Sequence, residues 1–382
     1  MPHGFHCLGR EVSDTQTGSG AVSSTQAYND NGEMHTMSGT YRDTFNYYNS
    51  SGSDAGTLKQ LTGTGPYAYA VYDSDGNRTC QGGSLTCTSA NDIQFTYDAE
   101  DRMTVANWGS SYGPLGSESP QLLVGPHETY SYDGNRELAE THYTYSSSST
   151  QQNLTWNTAL GGTPSLAAMA TKSDGAATGH TDFIDGPDGS PLEQVLVNGS
   201  TQTPDWYYTD FAGNTRVLLD SSGNIDQTYN SDAWGNVTTG TTTSGPTTPL
   251  IFKDTYIDTT GPQYMQARWY DPTTGQFMNQ DPMVQQTLQP YAYAGDNPTG
   301  AADPTGQCLV SLHGGGGYYF TVPPAFKFCK KVDCAALINL DFSLRARKHH
   351  RWQIRVPERP AEGWLGRGHG RMAWVLTCSR RS

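Results

Sequence analysis

Apolar and polar positions alternate in short bursts along this chain, and burst after burst ends at an aspartate. "VYDSDGNR" begins at Val71, "TYDAEDRM" at Thr96 and "SYDGNREL" at Ser131. "YYTDFAGNTRVLLDSSGNIDQTYNSDAWGNV" from Tyr207 holds three such units in a row. A period of two is the signature of a half-buried strand. An aspartate opening a turn accepts a hydrogen bond from the backbone two residues on, and Gly or Asn just after it tolerates positive φ. The pattern predicts consecutive antiparallel hairpins, with turns starting at Asp73, Asp210, Asp220 and Asp232.

One such unit cannot bury a core by itself, so its neighbours must stack or coil into a continuous sheet. The Tyr, Val and Leu residues on either side of the turns supply cross-strand pairs for it. Two stretches break the rhythm. Residues 145–180 are rich in Ser, Thr, Gly and Ala and read as a long hairpin or a loose connection. Residues 239–248, "TGTTTSGPTT", read as a flexible turn region.

Charge divides the chain. Its net charge of -14 is the sum of two opposed parts. Residues 1–306 hold 10 Lys+Arg and 33 Asp+Glu, giving -23, and residues 307–382 hold 13 and 4, giving +9. The acidic part should repel nucleic acid and anionic membranes, whereas the basic tail can attract either. No apolar run is long enough to span a bilayer. The start, "MPHGFHCLGREVSD", lacks the basic and apolar regions of a signal peptide, so export would use another route or a start further upstream. Of the 7 cysteines, Cys80 and Cys87 flank a hairpin-like "QGGSLT" and are either bridged or two free thiols. "CKKVDC" has no spaced histidine to complete a zinc set, and neither metal nor cofactor is predicted. "HGGGG" at 313–317 has no accompanying Gly-x-Ser-x-Gly, so it does not mark an esterase.

The most ordered stretch is "RWYDPTTGQFMNQDP", residues 268–282, and a third Asp-Pro follows at Asp303-Pro304. The repeats resemble the YD repeats of Rhs proteins. Residues 263–306 resemble the Rhs repeat-associated core in the order of their parts: aromatic-Asp-Pro, Gly, Phe, Asp-Pro, a Tyr-rich run, Asn-Pro and a closing Asp-Pro-x-Gly. The resemblance implies a mainly β fold, in which YD-repeat hairpins form a partial spiral β-shell around a variable C-terminal segment. It also implies self-cleavage just after the closing Asp-Pro-x-Gly, by Asp281 and Asp303, within the region Gly306, Gln307, Cys308 and about Leu309. The family spacing of eighteen residues is kept between Val284 and Asp303. Val284 stands where the pattern has Gly, Gln280 where relatives carry a basic residue, and Gln307 where Leu is common.

Bottom-up, two carboxylates brought together share one proton, since like charges a few ångströms apart do not both ionise cheaply. That arrangement yields an acid and a base. Asp271 and Gly275 are assigned to a turn. The chain thus divides into a poorly defined segment 1–60, a YD-repeat region 61–306 ending in the core 263–306, and an irregular basic tail 307–382. It reads as part of a longer protein, secreted or at a cell surface, with self-cleavage as its one reaction and no turnover. The partner implied first is its own C-terminal segment, then an immunity protein or secretion machinery. Two other classes stay open: a carbohydrate-binding surface repeat protein, and a toxin active through its tail.

Overall fold

The computed structural model describes residues 3–5, 11–15, 23–28, 34–39, 43–47, 58–63, 69–83, 89, 92–108, 126–158, 163–186, 189–242, 246–287, 289–307, 309–312 and 318–319. All of them belong to one compact unit. Its main element is a 20-stranded antiparallel sheet, running from His3–Phe5 to Val237–Thr242. Each strand pairs with the strand next to it in sequence, so the sheet is a continuous meander, here called the ribbon.

The turns follow the aspartate grammar. Asp73, Asp210, Asp220 and Asp232 each accept two backbone N–H bonds through Oδ1, from the residues two and four ahead, at 2.8–3.0 Å. The glycine three positions on takes φ of +80 to +91 in all four. An Asn then closes each turn, and in all four its amide also reaches the aspartate side chain. Asp98 and Asp133 build the same turn with Asp101 and Arg136 at positive φ. At the Asp73, Asp210 and Asp220 turns the extra residue shifts the register at the end of the hairpin, a bulge that adds twist to the ribbon.

Two stretches depart from expectation. The ribbon starts well before the recognisable repeats, with strands already at Ser23–Tyr28, Met34–Gly39 and Asp43–Tyr47. Residues 145–180 take the long-hairpin alternative rather than the loose connection, and carry three of the longest strands, Ser148–Asn157, Ser165–Ser173 and Ala176–Asp185. Threonine is a good strand residue, and these strands pair along their length with their neighbours, so low apolar content did not prevent pairing. Cys80 is disulfide-bonded; Cys87 and residues 313–317 and 320–382, most of the tail, lie outside the described residues.

Against the ribbon sits a short-stranded insert from Leu250 to Leu312. It holds a four-stranded sheet, Tyr256–Ile257, Gln263–Met265, Arg268–Asp271 and Gln276–Phe277. A smaller sheet joins Ala301–Ala302, Val310–Leu312 and Tyr318–Tyr319. The insert is aromatic and almost wholly buried. Trp269, Tyr264, Tyr256 and Met278 pack on Phe95, Met103, Tyr130, Leu138 and Leu154 of the ribbon. Tyr291 and Trp234 pack on Met34, Phe45, Leu58 and Tyr72. Polar links stitch the same faces: Tyr264 Oη accepts from Leu138 N, Trp269 Nε1 donates to Tyr132, and Leu58 N donates to Tyr291.

Candidate functional site

The insert brings three charged side chains of distant sequence positions to one buried point. Arg268 lies on the four-stranded sheet, Asp281 just after it, and Asp303 after the Ala301–Ala302 strand. All three are below 5% exposed. Arg268 NH2 sits 3.2 Å from Asp303 Oδ2 and 3.9 Å from Asp281 Oδ2. Its Nε donates to the carbonyl of Gly306, and its NH1 donates to the carbonyl of Pro290 at 3.4 Å. The guanidinium lies over the Phe277 ring, 3.5 Å from its centre. Burial lowers the Arg268 pKa, and the two carboxylates oppose that shift.

Backbone geometry fixes each member. Asp281 N donates to Pro290 O at 2.8 Å, and Asp281 Oδ1 accepts from Met283 N at 2.7 Å. Thr287, at the end of the single helical turn Val284–Thr287, donates its hydroxyl to Asp281 Oδ2 at 2.7 Å. Val284 is helical and has no positive φ, so the family's glycine is not required there. The Tyr-rich return from Asp281 to Asp303 is a single bridge, Gln276 to Ala292, followed by a 3-10 turn at Tyr293–Asp296. Ala294 and Asp296 take positive φ in that turn, which a strand cannot accommodate.

Asp303 opens a turn of the ribbon's own kind, with Gln307 N donating to Oδ1 at 3.0 Å and Gly306 N to the Asp303 carbonyl at 3.3 Å. Gly306 holds φ +64, and a Cβ there would meet Met265 O at 2.5 Å. The peptide unit joining Gly306 to Gln307 is therefore gripped at both ends: Arg268 holds its oxygen and Asp303 its N–H. Cys308 lies outside the described residues.

The structure thus brings Asp281 and Asp303 to one cation, whereas two carboxylates alone were expected. Arg268 is the group that sequence reasoning missed. It was legible as the sole Lys or Arg between residues 254 and 326. Asp271 does cap its turn, through Thr273 N at 2.9 Å, but its other oxygen pairs with Arg78 of the ribbon. Gly275 takes φ +68 and lies against Trp234. Among the described residues no group of three or more His, Cys, Asp or Glu is placed to hold a metal. Among them, too, no helix is long and apolar enough to cross a membrane.

No family model matches the chain. Its fold superposes on the crystal structure of TcdB2-TccC3-TEV with a TM-score of 0.59 at 15% identity, over 80% of this chain and 15% of that one. It superposes on the Photorhabdus luminescens Tc holotoxin pore, mutation TccC3-D651A, with a TM-score of 0.51 at 15% identity, over 80% and 16%. The fold is that of a partial Rhs-type β-shell. In sequence the chain is 35% identical over 127 residues to the double-stranded DNA deaminase toxin A of Burkholderia cenocepacia, 31% of this chain and 9% of that protein. It is 28% identical over 245 residues to the tRNA3(Ser)-specific nuclease WapA of Bacillus spizizenii, 62% of this chain and 9% of that one. The chain therefore spans about a tenth of the length of these two relatives.

Proposed function

We propose that this chain is the closing part of a toxin-type Rhs shell, exported with it, and that it releases its variable C-terminal segment by cutting its own backbone between Gly306 and Gln307. The observation that carries this reading is Arg268. Every hairpin aspartate of the ribbon binds a backbone N–H as Asp303 does, but here the other oxygen faces a buried guanidinium that also holds the neighbouring carbonyl.

One cation against two carboxylates is electrically neutral when the carboxylates share one proton. In that state Asp281 takes a proton from water as the water oxygen bonds to the Gly306 carbonyl carbon. Arg268 Nε, already on that oxygen, stabilises the negative charge that develops there. The C–N bond then breaks, with Asp303 passing the shared proton to the departing Gln307 nitrogen. The products are a Gly306 carboxylate and a Gln307 amine, and the sum is hydrolysis of one peptide bond. Thr287 and Met283 N hold the Asp281 carboxylate in place.

The test is mass spectrometry of the purified full chain after incubation near neutral pH. Wild type should give a fragment ending at Gly306 and another beginning at Gln307, whereas Asp281→Asn, Asp303→Asn and Arg268→Gln stay intact. A folded wild-type chain that remains whole refutes the reading.

A further inference from the structure

A second buried acid cluster lies where the insert meets the ribbon, remote in sequence from Arg268. Glu128, on the His127–Tyr132 strand, is fully buried, and Asp258, on the turn between Tyr256–Ile257 and Gln263–Met265, is 3% exposed. The Tyr130 hydroxyl lies 3.3 Å from Glu128 Oε2 and 3.2 Å from Asp258 Oδ2. Thr260 donates to Asp258 Oδ2 through its hydroxyl and, at 3.2 Å, through its backbone N–H.

Proton counting decides the state of this cluster. A phenol has one proton, so Tyr130 cannot give both carboxyl oxygens a full hydrogen bond. A proton on one of the two buried carboxyl groups relieves the second close contact, since two buried carboxylates sharing one donor are costly. Both carboxyl groups thus converge on the one phenol oxygen, deep in the interior. Among the described residues, the groups facing the pair carry no positive charge. They are Tyr130 on its own strand, Tyr143 and Ala106 on the two adjoining strands, and Tyr256 and Thr260 on the insert. Burial first, then the neighbouring Asp258 charge, pushes Glu128 from the usual carboxylate range to about 10.

We propose that Glu128 and Asp258 share a single proton and so form a pH-sensitive latch between the ribbon and the insert. With the proton present, the two elements are joined by a carboxyl–carboxylate hydrogen bond braced by Tyr130 and Thr260. Without it, two negative charges confront each other with no counter-charge among the described residues. The sign follows from linkage. A carboxyl whose folded pKa is raised contributes stability that is full below its unfolded pKa and is lost as pH rises toward the folded one. The latch is thus tight in acid and weakens through neutral into alkaline solution.

Protection factors from hydrogen exchange test this on the full chain, between about pH 6 and about pH 9. In wild type, amides of residues 127–132 and 256–264 should lose protection as pH rises, by up to about tenfold per pH unit for one released proton. Glu128→Gln keeps a donor toward Asp258 and cannot ionise, and Asp258→Asn keeps the turn cap. Both should flatten the response at these amides. Unchanged pH dependence in the two variants, or a flat wild-type profile, overturns the latch. Should neither variant fold, the infrared carbonyl stretch of wild type decides: a protonated carboxylic acid persists at about pH 8 if the proton is shared, and its absence overturns the proposal.

Discussion

Arg78 and Asp271, 193 residues apart in sequence, meet at 2.5 Å in the interior. Arg78 is fully buried. Burial works against its charge, but Tyr72 and Asp271 together hold its pKa above the ordinary arginine value. The pair ties a ribbon hairpin directly to the turn of "WYDPTTG". Asp271→Asn keeps the turn bond to Thr273 while leaving the guanidinium uncompensated. Breaking a buried pair from one side costs about 3–5 kcal/mol, so the denaturant midpoint of Asp271→Asn should fall clearly below wild type. A shift no larger than that of a surface substitution contradicts the assignment.

Gly306 and Val284 occupy equivalent positions in the two Asp-Pro motifs, yet they should respond in opposite ways. Gly306→Ala places a Cβ against the Met265 carbonyl at positive φ and should cost more than about 1 kcal/mol. Val284→Gly restores the family's residue inside a helical turn that has no use for it. It should bring no gain in stability, and a loss of about 0.5–1 kcal/mol is expected from backbone entropy. Thermal melting of the two variants compares them directly.

The strand Val310–Leu312 pairs with Ala301–Ala302, on the far side of the bond between Gly306 and Gln307. Cleavage there would not by itself part the fragments. Under native gel filtration the two products should elute together, and in denaturant they should separate. Immediate dissociation in buffer would show that this small sheet does not hold the released end.

Glu137 sits against Tyr264, whose hydroxyl donates to it at 3.3 Å, and burial pushes its pKa up to about 7. Its contribution to stability is full below the usual glutamate range and is lost as pH rises through about 7. Glu137→Gln should remove that part of the pH dependence. Carboxyl NMR chemical shifts followed from acid to alkali identify the step.

Phe211 and Tyr208 are 84% and 64% exposed, and Trp206 and Ile225 lie exposed on nearby strands of the ribbon. Their replacement by Ser or Thr should change stability by no more than about 0.5 kcal/mol, as for other exposed positions. The same changes should reduce self-association in light scattering, since apolar side chains on an open sheet surface are sites of contact.

The hairpins were legible because their code is local: an aspartate, a glycine three positions on and flanking strand residues suffice, as at Asp220 and Gly223. The motif spacing likewise marked Asp281 and Asp303, whose separation in space is set by backbone bonds near each. Arg268 escaped because its role is defined across the insert, by groups 13 to 38 residues downstream. Glu128 escaped for the same reason. It looks like any polar residue of an alternating strand until the insert covers it. For residues 145–180 composition left a long hairpin and a loose connection both open, since pairing with neighbours, not apolar content, stabilises those strands.

A meander in which each strand pairs with its predecessor can fold in the order in which it is synthesised. The insert cannot. Its aromatic residues find their partners on strands made much earlier, from Met34 to Phe183. It is the last described part of the chain to be translated, and it closes contacts of very long sequence separation, which form slowly. The three groups around Gly306 all belong to that late segment. Their arrangement therefore acts as a record of completed assembly: the ribbon is finished before Arg268 can take hold of the bond beside it.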